Sequence, residues 1–121
     1  MISGIVSDGH ATVTIAFRFA HRSDLSIQFV VDTGFTDHLC LPPEAVALLG
    51  LPFKYAMPVN LADNSEVILP VHEAVIVWNG EEREVRVLAT GRRPLVGTAL
   101  LDEHELVVQF TQGGLVTIDA L

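Results

Sequence analysis

The densest chemistry in this 121-residue chain lies in Val30-Val31-Asp32-Thr33-Gly34-Phe35-Thr36. An apolar strand that ends at Asp32 delivers a carboxylate to the edge of a packed core. Gly34, two residues later, lets the loop turn sharply and brings its amide near that carboxylate. An acid held rigidly in this way is suited to general acid or base work. The same triplet also satisfies a local side-chain turn made by Asp32 and Thr33, and the residues alone leave both readings open. A second segment, Pro94-Leu95-Val96-Gly97-Thr98-Ala99-Leu100-Leu101, places two apolar residues and a glycine directly before a short helix-forming stretch.

Other side chains offer weaker chemistry. Histidines 10, 21, 38, 72 and 104 show no His-x-His or His-Glu-x-x-His spacing, so no metal site is expected. His38 and Cys40 share one face of an extended segment and superficially pair a base with a nucleophile. A small buried cysteine beside a loop histidine is the simpler reading, because catalytic Cys and His usually lie far apart in sequence. Asp37, Asp63 and Asp102 could pair with Asp32 in imitation of a glycosidase dyad. Loop acids are usually solvated, however, and Asp102 is accounted for near a helix start. Glu81 and Glu82 read as a solvent-facing hairpin tip, and Trp78 as a core or interface aromatic. No Gly-x-Ser-x-Gly elbow or phosphate-cradling glycine loop occurs.

The elements that must hold these residues are mostly strands. Val13, Ile15, Phe17 and Phe19 alternate with polar residues from Ala11 to Ala20, and Leu25, Ile27, Phe29 and Val31 repeat the alternation after the turn His21 to Asp24. This period of two predicts a hairpin. Asp8-Gly9, Asp63-Asn64, Asn79-Gly80 and Gly113-Gly114 supply further turns. Proline opens and glycine closes a short helix across Pro42 to Gly50, and a second short helix is expected at Thr98 to Glu103 with Thr98 as its N-cap. Many short strands and two small helices predict a mainly β sandwich or closed barrel.

Composition bounds the partners. The length fits one domain over residues 1–121, with half its residues apolar. Seven basic against 15 acidic residues give a net charge of −8, which offers no footprint for phosphate backbones or anionic membranes. Neither nucleic acid nor a membrane is an expected partner. The longest apolar run, Ala74 to Trp78, is far below the roughly 20 residues of a membrane span, and no charged-then-apolar leader follows Met1. A cytoplasmic protein is expected. Cys40 is the single cysteine, so neither an internal disulfide nor a Cys-x-x-Cys motif is available.

Taken together, Asp32-Thr33-Gly34 and the later apolar-apolar-Gly97 segment before a helix resemble the retropepsin-like aspartic proteases, both the retroviral enzymes and their single-domain cellular and bacterial relatives. The resemblance extends over most of the chain. It implies an acid-protease barrel with a flap hairpin at Val59 to Val71, whose tip carries Leu61, Ala62, Asp63, Asn64 and Ser65. It further implies a following hairpin, Ala74 to Trp78 with Arg83 to Ala89, and a last strand near Leu106 to Phe110. On this resemblance Asp32 is the catalytic carboxylate, the Thr33 hydroxyl bonds across to a partner subunit, and Gly34 admits substrate backbone. Phe35 stands where the family commonly has Ala or Ser, which implies a bulkier or rearranged floor. Retroviral members pair an acid two residues after Asp-Thr-Gly with an arginine just after the later glycine. Here those positions hold Thr36 and Thr98, so that ion pair is expected to be absent. The flap lacks the glycine-rich retroviral sequence, although Asn64 can take the left-handed conformation, and a less mobile flap is expected.

Peptide hydrolysis by this route needs two carboxylates sharing one proton, because like charges about 3 Å apart cannot both ionise. One chain supplies one such loop. The second Asp32 must come from another copy, which implies a two-fold homodimer, an extended polypeptide substrate, no cofactor and a pH optimum on the acid side of neutral. Two alternatives remain at this point: a dimeric peptide-binding or assembly module of the same fold, and a monomeric β protein whose Asp-Thr-Gly is only a turn.

Overall fold

A computed structural model describes all residues 1–121. The chain runs β1 (Ile2–Ser7), β2 (His10–Arg18), β3 (Leu25–Val31), β4 (Leu39–Leu41), α1 (Pro43–Leu49), β5 (Phe53–Asn60), β6 (Glu66–Trp78), β7 (Glu81–Ala89), β8 (Leu95–Val96), α2 (Thr98–Leu101), β9 (His104–Val108) and β10 (Leu115–Ala120). All ten strands join one sheet in the order β5-β6-β7-β4-β8-β3-β2-β1-β10-β9, and a further β6–β2 pairing closes its middle into a ring. The architecture is mainly β, as expected.

Alternation explains the core. On β2, Val13, Ile15 and Phe17 are buried while Thr14 and Arg18 face outward. Directly opposite them, β3 aligns Phe29 with Val13 and Ile27 with Ile15. Phe17 and Phe29 stack with ring centroids 6.0 Å apart, the offset arrangement that aromatic pairs favour. Ile76, Leu39, Val87 and Leu100 complete the interior, and Trp78 is buried beside them. One polar residue, Thr12, lies in this interior. Its hydroxyl donates to the Ile5 carbonyl and accepts from the Gln28 amide, so both capacities are met.

Helix α1 follows the proline-to-glycine signal closely, with Gly50 closing it in the left-handed conformation at φ 65°. Helix α2 departs from expectation. Gly97, not Thr98, is its N-cap, and Asp102 caps its C-terminus, so the neighbouring acids do not sit at the positive end of the dipole. Strand β6 also departs, because it is one 13-residue strand where two segments were expected. At about 3.3 Å per residue it is roughly 40 Å long, which lets its first half pair with β5 while its second half lies between β2 and β7. The flap hairpin is correspondingly longer than Val59 to Val71, since its first arm starts at Phe53. The strand after α2 begins at His104 and not Leu106.

Two-residue β8 carries more of the architecture than its length suggests. It runs parallel to β3, with Val30 beside Leu95 and Val31 beside Val96. On its other side it runs antiparallel to β4, with Leu39 beside Val96. The strands before and after the Asp32 loop are therefore both bonded to one buried segment. Gly97 follows directly, and a Cβ there would lie 2.2 Å from the Asp37 carbonyl oxygen and 2.6 Å from both the Phe35 carbonyl oxygen and its ring. Two of these neighbours are backbone and cannot give way. Gly97→Ala is accordingly expected to cost about 3 kcal/mol or more of stability, beyond the usual range of overpacking. Chemical denaturation of the two proteins measures it, and a loss under about 1 kcal/mol would show that the loop can move away.

Candidate active site

The loop from Asp32 to His38 joins β3 to β4 at one end of the barrel. Its backbone is tied down at several points along its length. The Asp32 N–H donates to the Val96 carbonyl at 2.9 Å, and the Gly97 and Thr98 amides donate to the carbonyls of His38 and Phe35 at 2.9 and 2.8 Å. Ala99 N–H reaches the Asp37 carbonyl at 3.3 Å. Within the loop, Phe35 N–H returns to the Asp32 carbonyl at 3.1 Å. Gly34 N–H donates to Asp32 Oδ1 at 2.9 Å, so the carboxylate is oriented by its own loop. Asp32 is half-buried, whereas Thr33 and Gly34 are exposed. The Thr33 hydroxyl makes no hydrogen bond within the chain. The Phe35 ring lies against Gly97, so its bulk is taken up beside the start of α2.

The flap tip is a tight turn. Leu61 N–H donates to the Ser65 carbonyl at 2.8 Å, and Asn64 has φ 66°, the left-handed conformation its sequence allows. Asp63 accepts from both the hydroxyl and the amide of Ser65, and these bonds hold its carboxyl below the usual carboxylate range. Ala62, Asp63, Asn64 and Ser65 are all exposed. The larger cavities of the chain do not include Asp32. The most spacious, about 440 Å³, lies among Trp78, Arg83, His104 and Leu121.

An ion pair was not expected beside this loop, yet one is present. Arg86 Nε donates to Asp37 Oδ1 at 2.9 Å, and the Asp37 side chain is only 16 % exposed. Asp37 is therefore not the solvated loop acid anticipated, and a loop residue one place beyond Thr36 has found its arginine on β7. The Arg86 main-chain N–H donates to His38 Nδ1 at 3.0 Å, and His38 N–H donates to Asp37 Oδ1 at 2.7 Å. Cys40 turns away from His38, its thiol donating to the Thr90 carbonyl at 3.0 Å. Burial, and then the Asp32 charge, push that thiol up against the opposing pull of the Thr90 contact. A Cys40–His38 nucleophile pair is thus not assembled.

The whole-chain comparisons bear on the fold. A crystal structure of a retropepsin-like aspartic protease from Rickettsia conorii superposes with a TM-score of 0.61 at 19 % identity, covering 98 % of this chain and 92 % of that one. The fold is retropepsin-like. No protein-family model matches the chain, and no curated protein matches it. The retropepsin-like barrel has no helix long and apolar enough to cross a membrane.

Burial first, and then the charges of Arg86 and Arg83, push His38 below its ordinary value, while Asp37 opposes them. The folded state therefore favours neutral His38, which Nδ1 needs in order to accept from Arg86. Because the folded value is depressed, this contribution to stability is complete above about pH 6.5 and is lost as pH falls through the folded value. His38→Asn keeps a short acceptor there without the titration. The variant is expected to lose less stability than the wild type between pH 7 and about pH 4, as read by denaturant unfolding at each pH. Parallel losses would remove His38 as the cause.

Proposed function

We propose that the chain, residues 1–121 acting as one domain, is an aspartic endopeptidase that works as a homodimer on extended polypeptide substrates. The observation that carries this reading is the placement of Asp32-Thr33-Gly34 in a retropepsin-like fold, with the Asp32 carboxylate oriented by the Gly34 amide. In this proposal two Asp32 side chains meet across a two-fold axis and share one proton. The ionised one takes a proton from water, which attacks the scissile carbonyl carbon, while the protonated one donates to the carbonyl oxygen. Collapse of the tetrahedral intermediate, with a proton passed to the amine, breaks the peptide bond. No metal or organic cofactor enters these steps.

Other observations favour a second copy. Thr33 is exposed with its hydroxyl free of in-chain bonds, as a cross-subunit contact requires. At the same end of the sheet, the β1–β2 and β9–β10 turns are bonded together through Gly113 N–H and the Val6 carbonyl. Phe110 beside them is 73 % exposed, and Ile5 and Leu115, direct neighbours across β1 and β10, are also exposed. Apolar surface at the same end of the sheet as a loop that needs a partner is suited to an isologous contact. Extended substrate would lie between the loop and the flap, with Ala62 to Ser65 above it.

Cleavage of an unbiased peptide mixture between about pH 4 and pH 7 tests the mechanism, with Asp32→Asn alongside. Wild-type cleavage and its loss in the variant, with folding nearly intact, are expected, because an amide keeps the shape but cannot act as a base. Retained cleavage in Asp32→Asn overturns the assignment, and two folded, inactive dimers would favour a peptide-binding module. Thr33→Ala should weaken association more than it weakens the fold. A sedimentation series over concentration checks this, and unchanged association removes the proposed cross-subunit bond.

A further inference from the structure

The Asp32 loop has two sides, and the segment from Val96 to Ala99 supports only one of them. That support is entirely main chain. On the other side the single residue Arg86 reaches the loop twice, its guanidinium to Asp37 and its main-chain amide to His38. Asp37 Oδ1 collects the Arg86 Nε and the His38 N–H together, so one carboxylate oxygen joins β7 to the exit of the loop. The pairing of β4 with β7, Leu39 beside Val87, fixes Arg86 opposite this exit. We propose that Arg86 is a positioning residue that acts through Asp37 to hold the Asp32 loop in register, so that the Asp32 carboxylate keeps the orientation its chemistry requires.

The geometry favours this role over a merely stabilising surface pair. Exposed ion pairs contribute little, but here the acid is mostly buried, the bond is short, and the acceptor also satisfies a loop amide. The Asp37 carbonyl is meanwhile held by Ala99 N–H, so the residue is gripped through main chain on one side and side chain on the other. Asp37 lies five positions after Asp32, and the bonds of this segment to itself and to β8 and α2 form one connected network. Loosening its exit displaces the turn on which Gly34 orients the carboxylate. Misplacement of about 1 Å from a remote change can cost up to about a hundredfold in rate.

Arg86→Met keeps the main-chain N–H to His38 and the aliphatic stem while removing the guanidinium, and Asp37→Asn keeps an acceptor without its charge. Amide hydrogen exchange reads the clamp directly. Exchange at Gly34, His38 and Ala99 is expected to rise about tenfold or more in Arg86→Met, while core amides such as Val13 and Ile76 change little. An equal rise at all of these amides, or none in the loop, overturns the proposal. The catalytic consequence rests on the protease reading: kcat should fall about tenfold with KM within about twofold, Asp37→Asn lying between wild type and Arg86→Met. The double variant should be no worse than Arg86→Met alone, because both changes break one interaction. Loss of loop protection with unchanged kcat overturns the link to catalysis. A wild type that cleaves nothing would defeat the protease reading, and the exchange pattern would still decide whether Arg86 holds the loop.

Discussion

The close approach of Gly97 to the Asp32 loop is the contact on which the rest of the arrangement depends. Main-chain atoms of Asp37 and Phe35 occupy the space that a side chain at position 97 would need. Removing that side chain lets the Val96 to Ala99 backbone bond to both ends of a seven-residue loop whose other outside support comes from Arg86. A loop that presents a carboxylate in one orientation at the surface has to be exposed yet immobile, two demands that usually conflict. Here the conflict is resolved by burying the support instead of the loop. Val96 and Gly97 lie inside, and Thr33 and Gly34 remain accessible above them.

The ring of strands follows from the same requirement. For β8 to touch both β3 and β4, the chain must return between them from the far side of the barrel. It does so through the long β6–β7 hairpin, which pairs with β2 on one side and β4 on the other. This routing also brings β7 past the loop exit and sets Arg86 opposite Asp37. The fold of this chain thus supplies a position where an acid and an arginine meet. The expected acid position holds Thr36, and the next residue makes an equivalent type of contact with a different strand.

Much of this was legible in local patterns. Strand β3 coincides with the predicted Leu25 to Val31, and α1 with the proline-to-glycine signal, because each is set by neighbours in sequence. Strand β6 was not legible as one element. Its inward positions run Val67, Leu69 and Val71, then Ala74, Ile76 and Trp78, so the period of two slips by one residue at His72-Glu73. The slip marks the passage from flap to barrel, where the same strand changes the surfaces it covers, and without the partner strands it reads as a boundary. The start of α2 was misplaced for a related reason. Thr98 is of a residue type that favours the N-cap, but the extended backbone that precedes the helix ends at Gly97, which takes the capping position. Asp37 and Arg86 lie 49 positions apart, and Arg86 on its strand resembles any outward arginine between buried valines. Only the parallel pairing of β4 with β7, a long-range feature, brings them together.

One chain brings one Asp32 to the rim of the barrel. A single carboxylate oriented by one amide cannot at once activate water and protonate a carbonyl. Thr33 and Gly34 are exposed, and Asp32 lines none of the larger cavities. Main-chain groups of Asp32, Phe35, Asp37 and His38 are bonded to the Val96 to Ala99 segment, while the Thr33 hydroxyl has no in-chain partner. Such an asymmetry is costly for an isolated chain, since it orders a loop whose outer face gains nothing from the order. A partner that met this face would find a loop already ordered, with little entropy left to lose.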